Sequence, residues 1–407
     1  MTDSRALPLW AGRSMALLGI VLVALNLRTA VAAISPIAAQ IGADIPLGEV
    51  ALGIIGMIPP IAFALSGIFG AYGARKVGLE RFIAIAVVSM IAGHLVRAAA
   101  TSYPMLLVGS VLALAGAGIG NVLLPPLVKR YFPDRVGLVT SLYVTVMSLG
   151  ASIPAAVSAP IADSGSWRLA LAVWSVLALA SLVPWVVVLV QHRRERAALE
   201  TGAERPHERQ PGRIWRSPTA WTMAIVFGLP SFHAYAVFAW LPQLLVDSAG
   251  VSRINAGALL ALFGIMGLPA ALVVPVLVIR LRNVRWLMLS GLAAFVLGYL
   301  GLLLAPSTLT WLWVVLVGAG PLLFPACLTL INLRSRTHEG SVALSGFVQG
   351  VGYTIGALGP LLVGILHSVT GSWTAPLILL IATVLACAFS AVRLGRPTFV
   401  EDELRGR

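Results

Sequence analysis

Residues 150–167 read GASIPAAVSAPIADSGSW, and 206 positions later residues 356–373 read GALGPLLVGILHSVTGSW. The offset pairs Gly150 with Gly356, Pro154 with Pro360, and Gly165-Ser166-Trp167 with Gly371-Ser372-Trp373. It also pairs Pro36 with Pro242 and Arg130 with Arg336, and no gap is needed anywhere in between. Scattered glycines and prolines match by chance in a chain with 40 of one and 25 of the other, but the same triplet after the same apolar run does not. The chain is therefore a tandem repeat. In a membrane protein, parallel repeats stand side by side about an axis along the membrane normal, with the binding site at the midplane between them.

That the solvent is a bilayer follows from composition. Of 407 residues 59% are hydrophobic and 11% are charged, against about 25% charged in a soluble domain. The apolar residues come in runs of about twenty, the length that crosses hydrocarbon, rather than in one-sided stripes. The runs fall at 14–38, 50–72, 82–100, 105–127, 136–160, 169–190, 218–242, 254–279, 286–305, 309–332, 341–366 and 373–393. The expected fold is all-α, with twelve transmembrane helices in two pseudo-symmetric six-helix bundles. Arg5 and Arg13 ahead of the first run imitate a signal peptide, but Asn26 and Arg28 interrupt that run, so it is taken as an uncleaved first span.

Charge sets the orientation. Twenty-four of the 28 basic residues fall on one side of the membrane; Arg97, Arg168 and Arg253 fall toward the other, and Arg28 lies within a span. The positive-inside rule places that side, with both termini, in the cytoplasm of a bacterial inner membrane. The segment 191–217 is the longest loop, is polar and carries Pro206 and Pro211. The expected organisation is a bundle at 1–190, a linker at 191–217, a second bundle at 218–393 and a tail at 394–407.

Several chemistries are excluded. The net charge of +13 resides in short loops without interleaved aromatics, which argues against nucleic acid. No HExxH, serine elbow, CxxC or P-loop is present, so neither an enzyme, a cofactor nor a metal site is expected. Cys327 and Cys387 lie inside apolar runs and read as packing residues. All fifteen acidic residues fall in loops, in termini or at span edges, Glu49, Glu80, Asp134, Asp163 and Asp247 among them. An exporter of cationic drugs, the main alternative, normally needs a carboxylate in mid-membrane to bind the cation and exchange a proton.

Five stretches carry a family resemblance: GAYGARKVGLERF (70–82), LNLRTAVAAISPI (25–37), GIGNVLLPPLVKRYFPDRVG (118–137), WLPQLL (240–245) and LSGFVQGVGYTIGALGPLL (344–362). The first resembles the Gly- and Arg-rich loop between helices two and three of major facilitator proteins, though its usual Asp is missing. Together they resemble the cyanate and nitroimidazole permeases (CynX/NimT type) of that superfamily over nearly the whole chain. The resemblance implies a carrier of small solutes, cyanate-like anions or small nitrogen heterocycles, working as a monomer with a possible co-transported proton.

Arg28 is the most informative residue. A centred arginine costs roughly 2.5–3.5 kcal/mol to insert, so something must offset it. A guanidinium lining a central cavity offers five donors to an anion or an acceptor-rich planar solute. Asn26, about 200° away on the same helix, is expected to be a packing amide. The other candidate substrate contacts are Asn121, Tyr143, His233, Gln349 and Tyr353. Gln349 and Tyr353 share a face as i and i+4, and the repeat matches Gln349 to Tyr143. His233 matches Leu27–Arg28 within a residue and is expected to face Arg28. Trp240 is expected in an aromatic belt, and His94 and Arg97 in structural roles.

Overall fold

The computed structural model describes residues 13–196, 214–281, 283–336, 338–395 and 398–405. The expectations about Arg5, most of the 191–217 linker, Arg282, Arg396 and Arg407 lie outside the described residues. Among the described residues twelve helices are long and apolar enough to cross a membrane. Spans 1 to 6 are Ser14–Asp44, Glu49–Gly67, Leu79–Ala98, Tyr103–Tyr131, Leu138–Ser164 and Trp167–Gln191. Spans 7 to 12 are Pro218–Ala249, Arg253–Arg280, Arg285–Leu304, Thr310–Ile331, Ala343–Thr370 and Thr374–Arg393. Twelve crossings put Ser14 and Arg393 on one face, called here the terminal face; the other is the far face.

The packing repeats as the sequence does. Span 1 packs on 4, 5 and 6, span 2 on 4, and span 3 on 4 and 6; span 7 packs on 10, 11 and 12, span 8 on 10, and span 9 on 10 and 12. Small residues permit the close approaches, as is usual where lipid removes any hydrophobic drive between helices. A Cβ at Gly93 would lie 2.2 Å from the Ala113 backbone, and one at Gly298 would lie 2.6 Å from Val317. The two bundles meet where span 2 packs on spans 7 and 11 and span 5 on span 8.

The repeated triplet has a mechanical role. Each tryptophan opens the last span of its bundle and donates its indole N–H to an aspartate closing the bundle's first span: Trp167 to Asp44 at 2.9 Å and Trp373 to Asp247 at 3.0 Å. The bond ties first and last helices together at the far face. Gly371 adopts φ +61°, which only glycine takes without strain.

On the terminal face, basic residues pair within their own bundles. Arg13 reaches Asp134 at 2.6 Å and Arg130 reaches Glu80 at 3.1 Å. Arg336 reaches Asp402 of the C-terminal helix at 2.8 Å, and Glu403 of that helix accepts from the Thr219 hydroxyl at 2.7 Å, capping span 7. The Arg13 guanidinium holds the Asp134 carboxyl below the usual carboxylate range, so this clip is made at neutral pH and lost on acidification. These pairs brace each bundle rather than joining the two, because each carboxylate lies in the same bundle as its partner.

Candidate functional site

Span 1 is not continuous. Its helix runs Ser14–Asn26, stops, resumes as Thr29–Ala32 and passes through a 3-10 turn at Ser35–Ile37. Pro36 accounts for the turn, having no N–H to continue the helix. The earlier break is held by side chains. Thr29 Oγ1 donates to the Asn26 carbonyl at 2.9 Å, and Asn26 Nδ2 donates to Leu22 O and, across to span 6, to Leu177 O at 3.3 Å. Arg97 of span 3, fully buried, donates Nη2 to the Ala30 carbonyl at 3.1 Å. Spans 4 and 5 clamp the same region: a Cβ at Gly120 would meet Leu27 at 2.8 Å, and one at Gly150 would sit 2.0 Å from the Leu25 carbonyl. Asn26 and Arg97 have the structural roles expected of them.

The break delivers Arg28 to the seam between the bundles. Its side chain is half-buried; Nη1 donates to the Tyr235 hydroxyl of span 7 at 3.3 Å, and Cζ lies 5.0 Å from the Phe63 ring centre of span 2. That is within the range of a cation–π contact. Tyr353 of span 11 meets Phe63 edge-on at 6.0 Å and Phe227 at 5.2 Å, and Phe324 of span 10 lies 4.5 Å from Phe227. Among the described residues no carboxylate pairs with Arg28. The result is a cation on an aromatic wall, with N–H groups left over for an acceptor. A cavity of about 20 Å³ bordered by Ala30, Ile34, Tyr235 and Phe238 lies beside it, room for a water or two.

The six sequence candidates separate. Arg28 and Tyr353 come together around Phe63. Gln349 lies one turn from Tyr353 toward the terminal face, half-buried, donating to Ser345 Oγ at 2.7 Å. Asn121 is half-buried on span 4 beside Gly120, and Tyr143 is half-buried on span 5, two turns from Gly150 on the same face. Neither makes a side-chain hydrogen bond among the described residues. His233 does not face Arg28, and that expectation is corrected. It is 1% exposed, with Nδ1 3.1 Å from the Tyr299 hydroxyl and Nε2 3.3 Å from Thr383 Oγ1, inside the packing of spans 7, 9 and 12. The repeat fixed its depth, but helix rotation decides direction, and Tyr235, about 200° further round, is the residue that reaches Arg28. Trp240 is likewise buried, donating Nε1 to the Pro360 carbonyl at 2.8 Å rather than lying in an interfacial belt. Sequence reading missed Tyr235 and Phe63; their signal was aromatic rings near the middle of spans 7 and 2.

The seam is closed at one end only. Gly53, Gly56, Pro60, Phe63 and Gly67 lie along one face of span 2, and Gly346, Gly350, Tyr353, Pro360 and Gly364 along one face of span 11. At the far end a Cβ on Gly53 would meet Pro360 O at 3.0 Å, one on Gly56 would meet Pro360 Cβ at 2.6 Å, and one on Gly364 would meet Glu49 O at 2.9 Å. At the terminal end a Cβ on Gly67, Gly346 or Gly350 would meet no other described residue within 4 Å. The Arg28 site is thus sealed from the far face and open toward the terminal face.

Comparison with known proteins accords with this geometry. Residues 16–345 match the family model of the Major Facilitator Superfamily. The chain is 34% identical to the uncharacterized transporter YycB of Bacillus subtilis over 94% of both chains. It is 32% identical to the 2-nitroimidazole transporter of Escherichia coli, covering 90% of this chain and 91% of that one. It is 27% identical to the cyanate transport protein CynX of Escherichia coli, covering 88% and 91%. A bacterial homolog of the human lysosomal transporter Spinster, solved in an inward-facing and occupied conformation, superposes with a TM-score of 0.74 at 17% identity over 96% of this chain and 98% of that one. The twelve-span chain, with two bundles closing over a midplane arginine, belongs to the Major Facilitator Superfamily of membrane transporters and resembles its cyanate and nitroimidazole carriers.

Proposed function

We propose that the chain carries a small planar anion or an electron-rich nitrogen heterocycle by alternating access, with Arg28 as the centre of the site. The observation that carries this reading is the Arg28 guanidinium, half-buried at the seam, bonded to Tyr235 of the opposite bundle and resting on Phe63, with no carboxylate among the described residues to neutralise it. A buried cation without a counter-charge favours a ligand that supplies one, or supplies several acceptors. The aromatic walls favour a flat solute over a bulky one. The named substrates of two relatives, 2-nitroimidazole and cyanate, are both small, planar and rich in acceptors. Tyr353, Gln349, Asn121 and Tyr143 complete the site in this reading, while His233 serves packing. The cationic-drug reading is disfavoured because the site holds a fixed positive charge.

In this reading residues 1–190 and 218–393 are the rocking units, joined by the 191–217 linker, and 394–407 is a tail. The terminal face is cytoplasmic and the membrane is the bacterial inner membrane, from the excess of Lys and Arg on that side. Import of a univalent anion against an inside-negative potential costs about 2.3 kcal/mol per 100 mV, so uptake draws on a chemical gradient, on consumption inside or on a co-transported proton. The test is ligand-induced thermal stabilisation of the purified protein by nitroimidazoles, cyanate, nitrate, short carboxylates and lipophilic cations, followed by counterflow in proteoliposomes. Arg28→Gln is expected to remove stabilisation by the anions and heterocycles, a loss of at least tenfold in affinity for about 1.5–3 kcal/mol of charged hydrogen bonding. Binding unchanged in Arg28→Gln, or stabilisation by cations alone, sinks the reading.

A further inference from the structure

The far end of the seam carries a hydrogen-bonded histidine–carboxylate pair that the cargo site does not use. His367, near the end of span 11, places Nδ1 2.6 Å from Glu49 Oε1 at the start of span 2. Among the ion pairs that the described residues make with one another, Arg13, Arg130, Arg135, Arg168 and Arg336 each pair within their own bundle. Of these pairs among the described residues, His367–Glu49 is the one that joins one bundle to the other. The second carboxylate oxygen of Glu49 is buried and has no hydrogen-bond partner.

The surroundings hold the imidazole in place. Its ring lies 4.0 Å from the Trp373 ring at 30°, and Trp373 in turn is tied to Asp247 and lies 6.0 Å from Trp240. The repeat places Ile161 at the position of His367, so the histidine is a departure from the symmetry and not part of the scaffold. The charged groups next to it among the described residues are Glu49 from span 2 and, one ring away behind Trp373, Asp247 from span 7. Glu49 alone touches it. The same two helices carry Phe63 and Tyr353 further in, so parting them at the far face disturbs the wall of the Arg28 site.

We propose that Glu49 and His367 form a proton-binding site that latches the far-face gate. With the gate closed, one proton is held between the imidazole and the carboxylate. When the bundles part at the far face, the two groups separate and meet water. The separated groups release the shared proton to the far compartment, and closure takes one back. Closure is thus favoured by protons on the far side and weakened as pH rises. The proton returns to the compartment it came from, so the latch tunes the gate to far-side pH and adds no driving force to transport. This rests on alternating access and not on the identity of the cargo.

The test reads the gate without ligand. Spin labels at Ala43→Cys and Val369→Cys, both exposed on the far face in opposite bundles, report the far-face opening by pulsed electron resonance in nanodiscs. The background replaces the buried Cys327 and Cys387 by alanine. Between pH 5.5 and 8.5 the open-to-closed ratio is expected to rise with pH, by up to about tenfold per unit, the limit for one proton. It should become flat in both His367→Gln and Glu49→Gln. A ratio independent of pH in the parent overturns the proposal, as does an undiminished slope in either variant; should one variant fail to fold, the other decides. Nitroimidazole or anion binding at Arg28 is measured separately, so loss of either result leaves the other standing.

Discussion

The two tryptophan corners on the far face are built alike and used differently. At the first, Trp167 and Arg168 both bind Asp44, the guanidinium lies 4.2 Å from the indole centre, and Arg168 Nη2 donates to the Ala100 carbonyl. Everything there closes within one bundle. At the second, Trp373 binds Asp247, Thr374 stands where Arg168 would be, and the exposed side of the indole is taken by His367, which reaches across to Glu49. The repeated residues hold the scaffold, and the substituted ones cross the seam. Moving parts in a duplicated carrier therefore belong where the copies disagree.

That contrast can be broken experimentally. The largest effect is expected from Trp167→Leu and Trp373→Leu, which each lose a large buried ring and an indole hydrogen bond, a destabilisation of about 2–4 kcal/mol read by thermal or denaturant unfolding in micelles. Both should be destabilised to a similar degree, but only Trp373→Leu should also open the far-face gate in the spin-label measurement. Equal opening in both variants would erase the distinction between the corners. A smaller effect is expected at Gly371: alanine there must adopt φ +61° and should cost about 1–2 kcal/mol. The same change at Gly165, where φ is −135°, should cost less. The smallest effect on stability is expected from His367→Ile, which restores the residue of the other copy. Its pair is partly exposed, so unfolding should shift by less than about 1 kcal/mol, while the pH dependence of the gate disappears. A large loss of stability would show instead that His367 belongs to the scaffold.

The sequence by itself determined the twelve spans, the duplication and the singular position of Arg28. Each rests on a rule that needs no neighbours: hydrocarbon demands about twenty apolar residues per crossing, and an arginine at mid-span must be compensated. The repeat likewise fixed depth along the membrane normal, which is why His233 and Arg28 lie at matching levels. Tertiary structure decided direction. His233 turned into its own bundle and Tyr235 turned to the seam, because rotation about a helix axis is set by packing and not by register. The break that aims Arg28 depends on a carbonyl capped by Arg97, and the latch joins residues 318 positions apart. Contacts between distant helices leave no periodicity in the chain, so only the assembled bundles place Arg28 against Phe63 and Glu49 against His367.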